Sequence, residues 1–217
     1  MELLPPILPK YPQHVEDFPA LAESAREEDA PIRGVLVEGA RLAGADLSGL
    51  TLEGAVFRGC RLSACLWQDC ELTHVSFVDC DLSGSRLDGS RWERCAWQDC
   101  KGVGAGLSDS LLRQVSFLRC NLEGANFSAA RMKGVEFSRC LLRNGGLSGC
   151  LLSPAAFSHT CLDGVNFFHT LLKDVDLTTC SIQGLVLSDS MAELKGAVVD
   201  LWQAAGLARR LGLVVRE

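Results

Sequence analysis

The sequence predicts an all-β solenoid with four sides in each coil. Bulky apolar residues recur at every fifth position, small residues lie two positions before them, and glycine is frequent two positions after them. A helix cannot keep such a stripe on one face, because 3.6 residues per turn carry a five-residue period around its surface. An extended segment can, since residues two apart point to the same side of a strand. We therefore interpret each quintet as one flat side followed by a corner, where glycine suits unusual backbone angles.

The five-residue period runs in one frame from Ile32 to Leu187, which makes 32 quintets with Gly102 as the one non-bulky entry. Residues 20 apart stack if four quintets close a coil. Five of the seven phenylalanines at bulky positions fall in one such column, as do six of the ten cysteines at small positions. Four sides per coil predict about eight coils and a rod of about 38 Å. The two aligned sets are Phe57, Phe77, Phe117, Phe137 and Phe157, and Cys60, Cys80, Cys100, Cys120, Cys140 and Cys180.

Residues 1–30 form a separate N-terminal tail or cap in this prediction. They hold five of the seven prolines and seven acids against two bases, so they carry −5 of the chain's net charge of −6. We expect the stretch from Pro5 to Pro12 to be extended and mobile. Residues 19–29 are expected to form a short helix with proline at its start. Covering the first coil and contacting a partner are both open roles for this segment.

Residues 190–217 follow the solenoid of residues 31–189 and lack its period. The pattern predicts a helix over 197–211, stopped by Gly212, and a short strand over 213–215. This apolar C-terminal segment is larger than a cap over one coil requires, so it predicts a dimer contact. A monomeric cap is the alternative. The expected contact residues are Val198, Leu201, Trp202, Ala205, Leu211, Leu213, Val214 and Val215.

The chain has eleven cysteines, an odd number, and ten of them occupy the small inward position. Cysteine there is interpreted as a small buried residue, interchangeable with alanine, serine and threonine. A disulfide ladder is disfavoured because parallel side chains keep stacked Cβ atoms too far apart. Metal binding is disfavoured because no CxxC pair occurs and because His159 and His169 lie at opposite corners. We expect free, inert thiols and no metal or cofactor.

The composition argues against several classes of protein. Of the 217 residues 47% are hydrophobic, which is too many for a disordered chain, and no apolar run is long enough for a membrane span. A pI of about 5.3 disfavours direct nucleic-acid binding. The first residues lack a signal peptide, so a cytoplasmic location is expected. No catalytic fingerprint is present and a filled interior leaves no pocket, so we expect no enzyme.

One side of the predicted rod is acidic. The side running from Leu47 to Leu187 is net −4, whereas the side running from Ile32 to Leu172 is net +3. An acidic stripe on one side suits a basic partner surface, although solvated repeat positions can also produce one. Its acids are Asp46, Asp69, Asp88, Asp109 and Asp189, against the single base Arg86.

Several quintets resemble the motif of the pentapeptide-repeat family, A/S/C–D/N–L/F–S/T/R–G. The closest instances are ADLSG at residues 45–49, CDLSG at 80–84 and ANFS at 125–128. This resemblance covers about residues 31–189, and it implies a right-handed quadrilateral β-helix.

The ending LARRLGLVV at 207–215 is similar to the C-terminal dimerisation module of the Qnr and MfpA branch of that family. This resemblance implies a homodimeric, DNA-mimicking rod that binds DNA gyrase or topoisomerase IV and protects it from poisons, as quinolone resistance or as immunity to a natural product. The frame has no projecting loops, which is closer to the MfpA type. A non-enzymatic scaffold or adaptor rod with another protein partner is the alternative.

Overall fold

The computed structural model describes residues 3–216 and contains the predicted solenoid. Between Ile32 and Ser158, every rung of the parallel sheet pairs residues 20 apart, as in Phe57 with Phe77 and Phe117 with Phe137, which confirms four sides per coil. We name the sides after their first bulky residue: the Ile32, Val37, Leu42 and Leu47 sides. Short strands form on the Ile32 and Val37 sides, whereas isolated parallel bridges link the coils on the other two.

Seven coils carry strands on the Ile32 side, and the quintet around Leu172 adds a last coil without a strand there. The count is therefore about seven regular turns, where the sequence predicts eight. The strands of the Ile32 side are β2 (Ile32–Arg33), β4 (Thr51–Glu53), β6 (Glu71–Thr73), β8 (Arg91–Glu93), β10 (Leu111–Leu118), β11 (Arg131–Ser138) and β12 (Leu151–Leu152). Those of the Val37 side are β3 (Val35–Glu38), β5 (Val56–Arg58), β7 (Ser76–Val78), β9 (Ala96–Gln98) and β13 (Ala155–Ser158), with β10 and β11 turning the corner between the two sides.

The bulky residues fill the interior in stacked columns. Phe117 and Phe137 lie parallel with ring centroids 4.8 Å apart, and Phe137 and Phe157 with centroids 5.2 Å apart. A Cβ on Gly102 would lie 2.9 Å from the Trp97 ring. The ring of Trp97 therefore takes the space that Gly102 leaves, which explains the one non-bulky entry in the period.

The N-terminal segment is docked on the rod, so the expectation of a mobile tail is wrong. Strand β1 (Gln13–His14) pairs in parallel with β3. Helix α1 (Phe18–Glu27) follows, with Asp17 capping its start and Pro19 in its first turn. Phe18 is fully buried edge-on against Phe57, with ring centroids 5.1 Å apart. Helix α1 therefore covers the first coil.

The C-terminal segment closes the other end. A 3-10 helix (Ala192–Leu194) and the residues up to Val198 stack under the last coil, and α2 (Leu201–Arg210) then crosses the open end. Asp200 and Gln203 form a capping box at the start of α2. Residues 213–216 lack the strand predicted over 213–215, because no neighbouring segment of the same chain pairs with them. Within residues 3–216, neither helix has the length and hydropathy of a membrane span.

Candidate functional site: the acidic side and the C-terminal face

The Leu47 side places four of the predicted aspartates on the first four coils. Asp46, Asp69, Asp88 and Asp109 follow one another along this side, one to each coil. The next three coils present uncharged residues, and Asp189 lies at the far end, beyond the last bridge of this side. The acidic stripe is thus a patch near the N-terminal end with one distant member.

Asp46 is held by the N-terminal helix. The guanidinium of Arg26 donates to the backbone carbonyls of Asp46 and Ser48, and it lies 3.9 Å from the Asp46 carboxylate. Hydrogen bonds from Ser48, together with the charge of Arg26, lower the pKa of the Asp46 carboxyl. Asp46 is therefore ionised at neutral pH, with its charge partly balanced.

Asp88 is the most shielded member of the patch. Its carboxylate accepts hydrogen bonds from the backbone N–H and the hydroxyl of Ser108, at 3.1 and 2.6 Å, and Arg86 lies 3.6 Å away. A Cβ on Gly106 would lie 2.9 Å from the same carboxylate, so this glycine leaves room for it. The role of Asp88 is mainly to join two coils.

Asp69, Asp109 and Asp189 have no ion-pair partner within residues 3–216. Asp69 and Asp109 both sit at corners with left-handed backbone, at φ 56° and 57°. Aspartate tolerates this conformation better than most residues. These two carboxylates are the ones on the first four coils that remain available to a partner.

Helix α1 extends the acidic patch in a way that sequence reasoning missed. Arg26 anchors the end of α1 beside Asp46, and the exposed acid Asp29 lies beside Ser48 and Gly49 of the Leu47 side. The signal was the charge of −5 on residues 1–30, but the sequence could not place it. We call Asp29 with Asp46, Asp69, Asp88 and Asp109 the acidic patch.

The C-terminal face exposes most of the predicted dimer residues. Leu201 is 80% exposed, Trp202 74% and Val214 85%, so three large apolar side chains of this segment face solvent. Ala205 and Val215 are half-buried, so they contribute less surface. The other exposed members of the predicted set are Val198, Leu211 and Leu213.

The polar side of α2 donates hydrogen bonds to backbone carbonyls at the end of the solenoid. The Gln203 amide donates to the carbonyls of Leu177 and Cys180, at 2.8 Å each, and Arg210 donates to the carbonyl of Leu185 at 2.6 Å. In earlier coils, equivalent carbonyls accept from the next coil. Beside α2 is an open cleft of about 510 Å³, lined partly by Trp202, Gln203 and Arg210.

The thiols are all free, ten of them buried and Cys161 half-buried. Burial raises the pKa of Cys70 and Cys95 to about 12. Within residues 3–216, no three His, Cys, Asp or Glu side chains converge as metal ligands would.

The comparisons with known proteins agree with this architecture. The family profile described as a pentapeptide repeat region matches residues 70–147 and 90–167, and the profile described as pentapeptide repeats (8 copies) matches residues 38–65. No curated protein matches the sequence.

Three solved structures share the repeat at low identity. QnrB1, a plasmid-mediated fluoroquinolone resistance protein, is 24% identical, covers 84% of this chain and 92% of its own, and has a TM-score of 0.49. HetL, involved in heterocyst differentiation regulation in the cyanobacterium Nostoc sp. strain PCC 7120, is 20% identical over 78% of this chain and 89% of its own, with a TM-score of 0.31. Rfr23 from the cyanobacterium Cyanothece 51142 is 15% identical over 85% of this chain and 100% of its own, with a TM-score of 0.28. Likenesses of this degree say nothing about function. The two family profiles together span more than half of the chain, and the chain belongs to the pentapeptide-repeat family.

Proposed function

We propose that this protein binds a type II topoisomerase, DNA gyrase or topoisomerase IV, through its acidic patch and protects the enzyme from topoisomerase poisons. The acidic patch itself is the observation that carries the proposal. It gathers five carboxylates at one end of a rigid rod, four on the Leu47 side and that of Asp29 just after α1.

The charge density of the acidic patch is comparable to that of DNA. This supports a partner protein whose basic surface normally binds DNA. Duplex DNA carries one charge per about 1.7 Å of axis, or about eight charges over the length of about 14 Å between the first and fourth coils. Five carboxylates near this length are of the same order. A basic groove would attract such a rod over long distances, and the attraction would weaken with salt.

The C-terminal face supports a homodimer as the working form. In the Qnr and MfpA branch, whose C-terminal ending this chain resembles, two rods join end to end. The exposed side chains of Leu201, Trp202 and Val214 would then be covered by the partner, and residues 213–215 could pair as strands between copies. In this arrangement the two acidic patches lie at the outer ends of the dimer.

A gyrase cleavage assay with a fluoroquinolone tests the proposal. The wild-type protein at micromolar concentration should reduce poison-induced DNA cleavage. The variant D69N/D109N should lose at least about tenfold in potency, because asparagine keeps the left-handed corners but removes two unpaired charges.

The matched control is E71Q/E136Q, which removes the same charge from the Ile32 and Val37 sides. It should protect as well as the wild type. Cleavage that is unchanged by the wild-type protein would contradict topoisomerase protection and favour a scaffold or adaptor rod with another protein partner.

A further inference from the structure

The N-terminal segment lies along one edge of the rod, a feature that the proposed function does not use. Residues 3–12 follow the corner between the Ile32 and Val37 sides and run against the direction of coil stacking. We call this segment the strap and the corner beneath it the strap corner. The strap corner consists of Gly34, Gly54, His74, Arg94 and Gln114, one residue from each of the first five coils.

Two hydrogen bonds fix the register of the strap. The backbone N–H of Leu4 donates to the side-chain oxygen of Gln114 at 2.9 Å, and that of Ile7 donates to Nδ1 of His74 at 3.1 Å. The donors are three residues apart in the strap, whereas the acceptors are 40 residues apart, which is two coils of the rod. Pro9 reaches the first two coils, because a Cβ on Gly54 would lie 3.4 Å from its ring.

The burial of the strap repeats with the same period of three. Leu3, Pro6 and Pro9 are half-buried, and every residue between them is exposed, up to a bend in the backbone at Lys10 and Tyr11. A three-residue period without internal hydrogen bonds is typical of the polyproline II helix. The prolines that face the rod have no N–H, so they leave no donor unpaired against it.

The two periods match in length. Three residues of a polyproline II helix advance about 9.3 Å, and two coils of a solenoid advance about 9.6 Å. A peptide in this conformation can therefore present a proline and an N–H to every second coil without stretching. The fit depends on helix geometry and coil spacing, so it applies to any peptide with the same spacing of proline.

We propose that the strap corner is a binding groove for proline-rich peptides in the polyproline II conformation, and that the protein's own strap is its resident ligand. Gln114 and His74 are the acceptors of the groove, and Gly34 and Gly54 provide the shallow floor that admits a proline ring. A peptide with proline at every third residue would bind in place of the strap. This groove is separate from the acidic patch, which lies along the Leu47 side.

Fluorescence anisotropy with a labelled peptide of residues 1–14 tests the groove. The protein used is full-length with P6G and P9G, which remove the preset φ angles of the strap and leave the groove intact. This variant should bind the peptide at least about tenfold more tightly than the wild type, whose attached strap competes at an effective concentration in the millimolar range. A peptide with the same two glycines should bind at least about tenfold more weakly.

Groove variants make the test specific. In the P6G/P9G background, H74L together with Q114L should weaken peptide binding by about tenfold or more, because two hydrogen bonds are lost. H159L is the matched control, since His159 is a left-handed corner residue on another edge, with φ 49° against 56° for His74. It should leave peptide binding unchanged.

Hydrogen exchange tests the contacts of the strap without any added peptide. The amides of Leu4 and Ile7 should be protected in the wild type and lose that protection in H74L/Q114L. Three results would overturn the proposal: unprotected Leu4 and Ile7 amides in the wild type, no saturable peptide binding by P6G/P9G, or equal binding with and without H74L/Q114L.

Discussion

At the scale of single residues, the small inward positions supply hydrogen bonds as well as fitting a narrow space. The thiols of Cys60, Cys80 and Cys100 donate to backbone carbonyls 23 residues earlier, at 3.4 Å each. Ser110 and Thr160 make the same bond with their hydroxyls, at 3.1 Å. This explains why cysteine, serine and threonine alternate at these positions. The prediction of buried, free thiols is confirmed, but their donor role was not expected.

The buried tryptophans provide a prediction at this scale. Trp92 donates from Nε1 to Ser90 at 3.1 Å, whereas Nε1 of Trp67 is buried without a partner within residues 3–216. Both rings are almost completely buried. Trp92→Phe should therefore destabilise the fold by about 1 kcal/mol more than Trp67→Phe, because the first loses a hydrogen bond and the second removes an unsatisfied donor.

Urea denaturation of the two variants measures this difference. Each change removes the same volume from the interior, so each serves as the control for the other. Equal losses of unfolding free energy, or a larger loss for Trp67→Phe, would contradict the assignment.

At the scale of elements, the two ends of the solenoid are closed by different means. Helix α1 inserts Phe18 into the apolar interior of the first coil, and α2 offers Gln203 and Arg210 to carbonyls that would otherwise face solvent. The second closure follows from the stacking pattern, since each coil must supply donors to the coil before it. Helix α2 therefore replaces the backbone and side-chain donors of a next coil.

Glu193 links the C-terminal segment to the last coil. Its carboxylate is 2% exposed and accepts hydrogen bonds from the backbone N–H of His169 and from the N–H and hydroxyl of Ser188, at 2.8 to 3.2 Å. Burial raises the pKa of this carboxyl, but hydrogen bonds from the backbone of Glu193 itself, from His169 and from Ser188 outweigh it, and the pKa is lowered.

Glu193→Gln should destabilise the protein by about 1–3 kcal/mol, because an amide nitrogen would face donors that need an acceptor. The contribution of Glu193 is present above the ordinary pKa of 4.5 and is lost as pH falls through the lowered value. Thermal unfolding between pH 7 and pH 3 should thus show a smaller acid dependence in the variant. E71Q, on an exposed acid, is the control and should behave as the wild type does.

At the scale of the whole molecule, the buried thiols make stability dependent on alkaline pH. Burial raises the pKa values of Cys70 and Cys95 to about 12 in the fold, whereas unfolded thiols ionise near 9.0. Below pH 9 these thiols are neutral in both the folded and the unfolded chain, and their contribution to the free energy of unfolding is complete. Between pH 9 and pH 12 only the unfolded chain loses the thiol protons, so this contribution falls. Each such thiol lowers the free energy of unfolding by about 1.4 kcal/mol per pH unit in this range.

C70S/C95S should weaken this alkaline dependence, and thermal unfolding from pH 8 to pH 11 measures it. Serine can donate to the carbonyls of Leu47 and Leu72 in place of the two thiols, so the variant should fold. A pH slope equal to that of the wild type would show that buried thiols do not control the alkaline limit.

Dimerisation through the C-terminal face is tested by light scattering. The wild type should have twice the chain mass of 23.4 kDa, and Leu201→Glu or Trp202→Glu should give monomers, since a charge would be buried in the contact. Leu151→Glu, on an equally apolar and 61% exposed site of the rod, should remain dimeric. A monomeric wild type would leave α2 with the role of a cap alone.

The sequence by itself determined the solenoid, its four sides and the contents of its interior, because a strict period converts residue number directly into position. From Ile32 to Leu187, the identity of each residue and its place in the frame are enough to name its stacked neighbours. The packing of Trp97 over Gly102 could be predicted for the same reason. The aspartates of the Leu47 side could be placed on their coils in this way.

Only the tertiary structure decided where the two non-periodic ends lie. Residues 3–30 and 190–216 have no repeat that fixes their register, so their positions depend on individual contacts distant in sequence, such as Leu4 with Gln114 and Arg26 with Asp46. Those contacts turn an apparently mobile tail into a docked strap and carry Asp29 to the acidic side. They also leave Leu201 and Trp202 outside while Gln203 faces the last coil. A period specifies neighbours one coil away, whereas a contact between an end and the rod is set by complementary shape and hydrogen bonding at a single place.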